Sequence, residues 1–193
     1  MVKGLTNRSD SSVHHDAVRH AINQEEIKLN DAQNAQFEKI EAWREDELIK
    51  ILHETTADVL ETKDPDAKAQ ARKNQMAKLL EAGDRLSSEA AQKTARLLTV
   101  VQRATVERMA LLMYFSRRVH IPEGYTEDQS KAEDKLAAEV GSDLARTGLD
   151  DREKRETLIN AFFERNLKEV LTPRQRETYF KESSVSTQPG RLD

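Results

Sequence analysis

The chain has 193 residues, of which 37% are hydrophobic, 5% aromatic and 34% charged, with six glycines and four prolines. This balance is typical of long charged helices with narrow apolar seams, and it argues against a compact α/β domain. The formal net charge of −4 argues against a general nucleic-acid binder, because phosphate binding depends on accumulated Lys and Arg. The absence of cysteine excludes disulfides, thiolate nucleophiles and cysteine-based zinc sites.

The sequence of the first third of the chain predicts a flexible N-terminal segment followed by helices. Residues 1–12 contain turn formers without apolar periodicity, so we predict a flexible N-terminal segment there. A short helix over 13–27 follows. Apolar residues then recur at helical spacing from residue 30 to about residue 62, which predicts the first arm of a long helical hairpin.

A second long arm follows an acidic proline turn. Asp64 is placed to cap this helix, and Pro65 suits its first position, where no N–H is needed. Apolar steps of three and four residues continue to residue 118, so we predict an antiparallel hairpin over 30–118. A helix of that length exceeds an ordinary domain, and the sequence leaves open whether it breaks at Gly83 or Thr99.

The last third of the chain predicts shorter helices. The segment over 126–182 carries helical apolar patterns behind a cap at Thr126, and residues 183–193 form a polar tail that we expect to be flexible. No run of alternating β-branched residues is bounded by hairpin turns. We therefore predict an all-α fold, with one helical domain over 13–182.

A five-residue motif occurs three times, with Leu, a small polar residue, two free positions and Gln. Thr or Asn in the second position can cap a helix, and the Gln can reach back to the N–H of the cap, which makes a capping box. The middle copy lies within an unbroken apolar stripe, so a continuous buried helix is the alternative there. The motif residues are Leu29, Asn30 and Gln33; Leu98, Thr99 and Gln102; and Leu171, Thr172 and Gln175.

These repeated motifs in a charged, cysteine-free helical chain resemble the LTxxQ-motif family of bacterial periplasmic stress proteins. That family includes the Spy and CpxP chaperones and related metal-resistance sensors. The motif leucines Leu29, Leu98 and Leu171 are separated by 69 and 73 residues (98 − 29 and 171 − 98). Family members carry two motifs separated by a helical hairpin of about that length. Asn30 departs from the family's Thr, and the first thirty residues contain no apolar export signal.

Large apolar side chains provide the candidates for a partner surface. Trp43 is the only tryptophan, and the densest apolar segment runs from Met109 to Phe115. Such residues pack either in the core or at an interface with a partner or a second copy, and the sequence leaves both open. The candidate surface residues are Trp43, Met109, Leu112, Met113 and Phe115.

The histidines give a weak candidate for a metal site. His14, Asp16 and His20 are close in sequence, and Asp16 and His20 share a helix face, but no closed ligand set accompanies them. No phosphate loop, nucleophile elbow or His-Glu-x-x-His motif is present. We therefore expect a protein that is not an enzyme and needs no cofactor.

The leading interpretation is a non-enzymatic helical binding protein with a chaperone-like or stress-sensing role. It would hold protein clients on an amphipathic helical surface, and it would act as a homodimer without binding nucleic acid or inserting into a membrane. The family resemblance implies the periplasm, with a leader missing from the sequence. The alternative is a cytoplasmic scaffold or adaptor that works through self-association or one specific partner.

Overall fold

The computed structural model describes residues 10–119, 121 and 124–185. All regular structure in these residues is helical, which confirms the predicted all-α class. The helices are α1 Asp10–Asn23, α2 Asp31–Glu61, α3 Pro65–Leu97, α4 Val100–Arg118, α5 Glu127–Arg146, α6 Arg152–Arg165, a π-helical segment Asn166–Val170, and α7 Pro173–Val185. In this described part, no helix combines the length and the apolar character needed to cross a membrane.

The ends of the helical region differ by a few residues from the sequence prediction. Helix α1 covers Asp10–Asn23 instead of 13–27, because Glu25 adopts a left-handed backbone with φ of 56° that ends the helix. Helix α7 continues to Val185, past the predicted end at residue 182. Most of the predicted flexible segments, 1–12 and 183–193, lie outside the described residues.

The chain divides into two compact units, one ending at Thr99 and the other beginning at Val100. The predicted hairpin over 30–118 is therefore too long, since its second arm ends at Leu97 and α4 belongs to the second unit. The physical reason lies at Leu98, whose backbone is extended (φ −83°, ψ 142°) and whose side chain is buried.

In the first unit, α2 and α3 form an antiparallel hairpin. The predicted turn is confirmed, because Asp64 accepts a hydrogen bond from the Ala67 N–H at 2.8 Å and Pro65 is the first residue of α3. Bonds between the arms fix their register, and Gln75 Nε2 donates to Thr56 Oγ1 at 2.9 Å. Much of this hairpin is only half-buried, so it presents long faces to its surroundings.

Helix α1 packs against α3 near the open end of the hairpin. Its Ala17, Val18 and Ala21 are fully buried. Arg19 of α1 also forms an ion pair with Glu41, so α1 packs on α3 and reaches α2 through this long polar side chain. The C-terminal half of α3 is rich in small buried residues that allow this close packing, namely Ser87, Ala90, Ala91, Thr94 and Ala95.

In the second unit, α4 and α5 form the main packed pair. Gly141 of α5 lies so close to α4 that a Cβ built on it would be 2.8 Å from the Arg108 backbone nitrogen and 3.0 Å from the Ala104 carbonyl oxygen. Only glycine fits this contact without a shift of backbone atoms. Arg108 also pairs with Asp134 of α5 at 2.6 Å, which adds a polar contact at the edge of the pair.

An aromatic cluster forms the centre of the second unit. Tyr114 and Phe115 of α4 meet Phe162 and Phe163 of α6, and the four rings have centroid separations of 5.1–6.0 Å. Phe115 and Phe162 are among the most completely buried side chains of the described residues. Edge-to-face pairs of this kind add to the stability gained from burial. This cluster fixes α6 against α4 and thereby positions the segment that follows α6.

Candidate functional site

The first motif forms a complete capping box at the start of α2. The Gln33 N–H donates to Asn30 Oδ1 at 2.9 Å, and the Asn30 N–H donates to Gln33 Oε1 at 3.1 Å. The side chain of Gln33 also donates from Nε2 to the Leu97 carbonyl oxygen at 2.7 Å. Because α3 ends at Leu97, no helical amide four residues later serves this oxygen, and Gln33 takes that place. The motif therefore caps one helix and ties it to the end of the next.

The third motif forms the same local structure before α7. The Thr172 N–H donates to Gln175 Oε1 at 2.9 Å, and the Gln175 N–H donates to Thr172 Oγ1 at 3.3 Å. Gln175 is only 7% exposed, and its Nε2 donates to the Gly124 carbonyl oxygen at 3.2 Å. Leu171 is buried beside it. This glutamine, too, joins its own helix to a distant segment.

A fourth copy, which sequence reasoning missed, begins α5. Thr126 and Gln129 form a capping box with bonds of 3.1 and 3.2 Å. Gln129 Nε2 also donates to the Val170 carbonyl oxygen at 2.9 Å and to Gln175 Oε1 at 2.7 Å. The signal was available in the spacing from Thr126 to Gln129, but Tyr125 stands where the other copies have Leu.

We call the long-range hydrogen bonds of the motif glutamines glutamine ties. In the second unit these ties are reciprocal. Gln129 reaches the carbonyl two residues before Thr172, and Gln175 reaches the carbonyl two residues before Thr126. Gln33 follows the same rule, because Leu97 lies two residues before Thr99. Three motif glutamines therefore bind a distant helix end or loop as well as their own helix start, and two of them, Gln129 and Gln175, form a reciprocal pair.

The middle motif marks a helix boundary rather than the interior of a helix. Leu98 is buried, Thr99 directly precedes α4, and Gln102 lies half-buried in the first turn of that helix. The alternative of a continuous buried helix through Thr99 is therefore wrong. The apolar pair Val100 and Val101 that suggested it is 49% and 77% exposed.

Large exposed apolar side chains mark one face of the first-unit hairpin. Leu52 of α2 lies three helical turns after Glu41, so it shares the side of α2 that Arg19 of α1 reaches. By helical spacing, Ile49 and Leu60 lie about 60–80° farther around α2 than Leu52, and they widen the exposed apolar surface. These three side chains are 44–71% exposed. Near the open end α1 covers the neighbouring side of α3, whereas these side chains of α2 are exposed.

Helix α3 contributes two residues to the same face. Met76 and Leu80 lie three helical turns before Ser87 and Ala91, which are buried in the half of α3 near α1. Met76 is 59% exposed and Leu80 is 63% exposed. We define the hairpin face as the five side chains Ile49, Leu52, Leu60, Met76 and Leu80.

The candidate surface residues predicted from sequence fall into different environments. Met109 and Phe115 are buried in the second unit, so they belong to its core and offer no surface within this chain. Leu112 and Met113 are half-buried. Trp43 is also half-buried, and the Lys93 ammonium lies over its ring at 3.1 Å from the centroid in a cation–π contact.

The weak metal candidate gains no further ligand in the structure. Asp16 and His20 are exposed on α1, whereas the side chain of His14 lies outside the described residues. Within the part of the chain that is described, no group of three or more His, Asp or Glu residues is arranged to hold a metal ion.

Neither a family model, a curated protein sequence nor a solved structure matches this chain. The resemblance to the LTxxQ-motif family therefore rests on the motif residues, and it stays a prediction.

Proposed function

We propose that this chain is a non-catalytic binding protein that holds partly unfolded polypeptides on the hairpin face. The observation that supports this proposal is the set of five large apolar side chains left 44–71% exposed on two packed helices. Contiguous exposed apolar groups on a folded protein mark interaction surfaces. The resemblance to periplasmic stress chaperones supports the same role, and with it a place in the bacterial periplasm.

The composition of the hairpin face suits weak binding of clients with different sequences. Met76 is unbranched and flexible, so it adapts to apolar groups of different shape. Glu45 lies one turn before Ile49 and Lys73 one turn before Met76, and both charged residues are exposed. Charges of both signs at the edges of an apolar face attract unfolded segments without fixing one sequence. The face therefore favours reversible holding over specific recognition.

The first test is an aggregation assay with a denatured client protein and no ATP. We expect the chain to suppress aggregation at equimolar ratio, and we expect a Met76→Gln, Leu80→Gln double variant to need about tenfold more protein, because two exposed apolar anchors are lost. Val101→Gln is the matched control, since Val101 is 77% exposed but lies outside the hairpin face. Equal activity of the double variant and the control would contradict the proposal.

A second copy of the chain is the alternative occupant of the hairpin face, as the scaffold interpretation requires. Light scattering on the same variants separates the two. If clients occupy the hairpin face, the double variant should have the same oligomeric state as the parent chain. A change from dimer to monomer in the double variant, with unchanged suppression of client aggregation, would instead support the scaffold interpretation.

A further inference from the structure

A fully buried asparagine begins the π-helical segment of the second unit. Asn166 has 0% exposure, and its backbone carbonyl accepts a hydrogen bond from the Leu171 N–H at 3.2 Å, five residues later. Segments of π-helix insert an extra residue into a helix and are frequent at functional sites. Burial of a polar side chain here requires that both ends of its amide find partners.

Only one end of the Asn166 amide is bonded. Its Nδ2 donates to Glu133 Oε1 of α5 at 3.1 Å, whereas its Oδ1 is buried without a hydrogen-bond partner. An ionised carboxylate accepts hydrogen bonds and has none to donate, so it cannot serve Oδ1. A protonated carboxyl group carries one donor and one acceptor, which match the acceptor and donor of the amide.

We propose that Glu133 and Asn166 form a proton-dependent lock between α5 and the π-helical segment. The lock is closed when Glu133 carries a proton. The closed form has two hydrogen bonds: Nδ2–H of Asn166 to one carboxyl oxygen, and the carboxyl O–H to Asn166 Oδ1. Loss of the proton leaves the first bond and places a buried negative charge beside an unpaired oxygen.

The surroundings of Glu133 favour its protonated form. Burial raises the pKa of Glu133, the negative charge of Asp134 raises it further, and the bond from Asn166 opposes these effects in part. Tyr125, whose own pKa is raised by burial, lies near Glu133 and adds no positive charge.

The cations on the neighbouring elements either pair with other carboxylates or are exposed. Arg108 of α4 pairs with Asp134, and Arg165 of α6 pairs with Glu139 and Glu169. The buried Glu107 of α4 pairs with the half-buried Arg155 of α6 at 2.7 Å. Lys168 and Glu169 of the π-helical segment are exposed, as is Lys135 on α5. Within the described residues, Asn166 is thus the hydrogen-bond donor to Glu133.

A proton suits this position better than a metal ion. The Asn166 oxygen has almost no accessible surface, and one carboxylate with one amide oxygen falls short of the six or more oxygen ligands of calcium. Gln129 lies one turn before Glu133, and Val170, which it binds, ends the π-helical segment. Opening of the lock therefore weakens the contact next to a glutamine tie.

The sign of the pH effect follows from the raised pKa. Glu133 contributes stability that is fully present below the pKa of an unfolded glutamic acid, about 4.3, and is lost as the pH rises through its folded-state pKa. Each unit of difference between the two pKa values corresponds to a tenfold change in the unfolding equilibrium.

The test measures urea unfolding of the full chain between pH 4.5 and pH 8 with Glu133→Gln. The glutamine amide donates to Asn166 Oδ1 and accepts from Nδ2 at every pH, so it imitates the closed lock. We expect this variant to raise the urea midpoint at pH 8 and to remove a loss of stability that the parent shows with rising pH. At pH 8 the unfolding equilibrium constant should fall by about tenfold for each unit by which the folded-state pKa is raised.

Two controls keep the proposal falsifiable. Glu164→Gln removes the same charge at an exposed position of α6 and should leave the pH dependence unchanged. Carbon NMR of the Glu133 carboxyl group follows its titration directly. A Glu133→Gln variant no more stable than the parent at pH 8, or a Glu133 carboxyl that titrates at the ordinary value for glutamic acid, would overturn the proposal.

Discussion

Replacement of Gly141 by alanine is expected to destabilise the second unit by about 1–3 kcal/mol. The new methyl group would lie 2.8 Å from the Arg108 nitrogen and 3.0 Å from the Ala104 oxygen. Both are backbone atoms, so relief requires α4 and α5 to move apart along their shared face. Alanine favours the helical state over glycine by about 1 kcal/mol, and this gain is too small to offset the clash.

Gly83 of α3 provides the matched control for this prediction. It is also a helical glycine, but a Cβ there would meet no atom within 4 Å. Gly83→Ala should therefore stabilise the chain by about 0.5–1 kcal/mol through helix propensity alone. Urea unfolding followed by circular dichroism measures both changes. Stabilisation by both alanines would show that α4 and α5 do not approach as closely as described.

Replacement of Gln129 by alanine is expected to cost about 2–3 kcal/mol, because it removes several bonds at once. The Val170 carbonyl loses its donor, Gln175 Oε1 loses one of its donors, and the capping box before α5 loses one arm. The loss of stability should appear first as local opening of the helices that Gln129 joins. We expect faster amide hydrogen exchange in α7, which begins beside Gln175.

Gln36→Ala is the matched control for the glutamine tie, since Gln36 is an exposed residue of α2 outside any motif. It should change stability by no more than about 0.5 kcal/mol. If Gln129→Ala resembles Gln36→Ala in both stability and amide exchange, the motif glutamines act as ordinary surface residues. The pairing of motifs then does not stabilise the fold.

The helix starts were predictable because capping is local. Asn30, Asp64 and Thr172 each act within a few residues of chain, and the structure confirms the predicted start that each one marks. The pairing of the motifs was not predictable in this way. Gln129 meets residues more than forty positions away, and only the folded chain brings them together.

The sequence pattern also did not predict which residues of the second unit are buried. No apolar pattern marks Asn166 as a core residue, but it begins the π-helical segment and is fully buried. Met109 and Phe115 could have belonged to an interface, and the aromatic residues of α6 instead enclose Phe115. The sequence left open a break at Thr99, beside Leu98, because apolar residues continue across this point without a change of spacing.

The hairpin face predicts a contact that can be observed directly. A photo-crosslinking amino acid at position 80 would lie on the face, and one at position 101 would be comparably exposed outside it. With a denatured client present, we predict covalent client adducts from position 80 and few from position 101. Equal adducts from both positions, or adducts only between copies of the chain, would contradict the proposal that the hairpin face holds unfolded proteins.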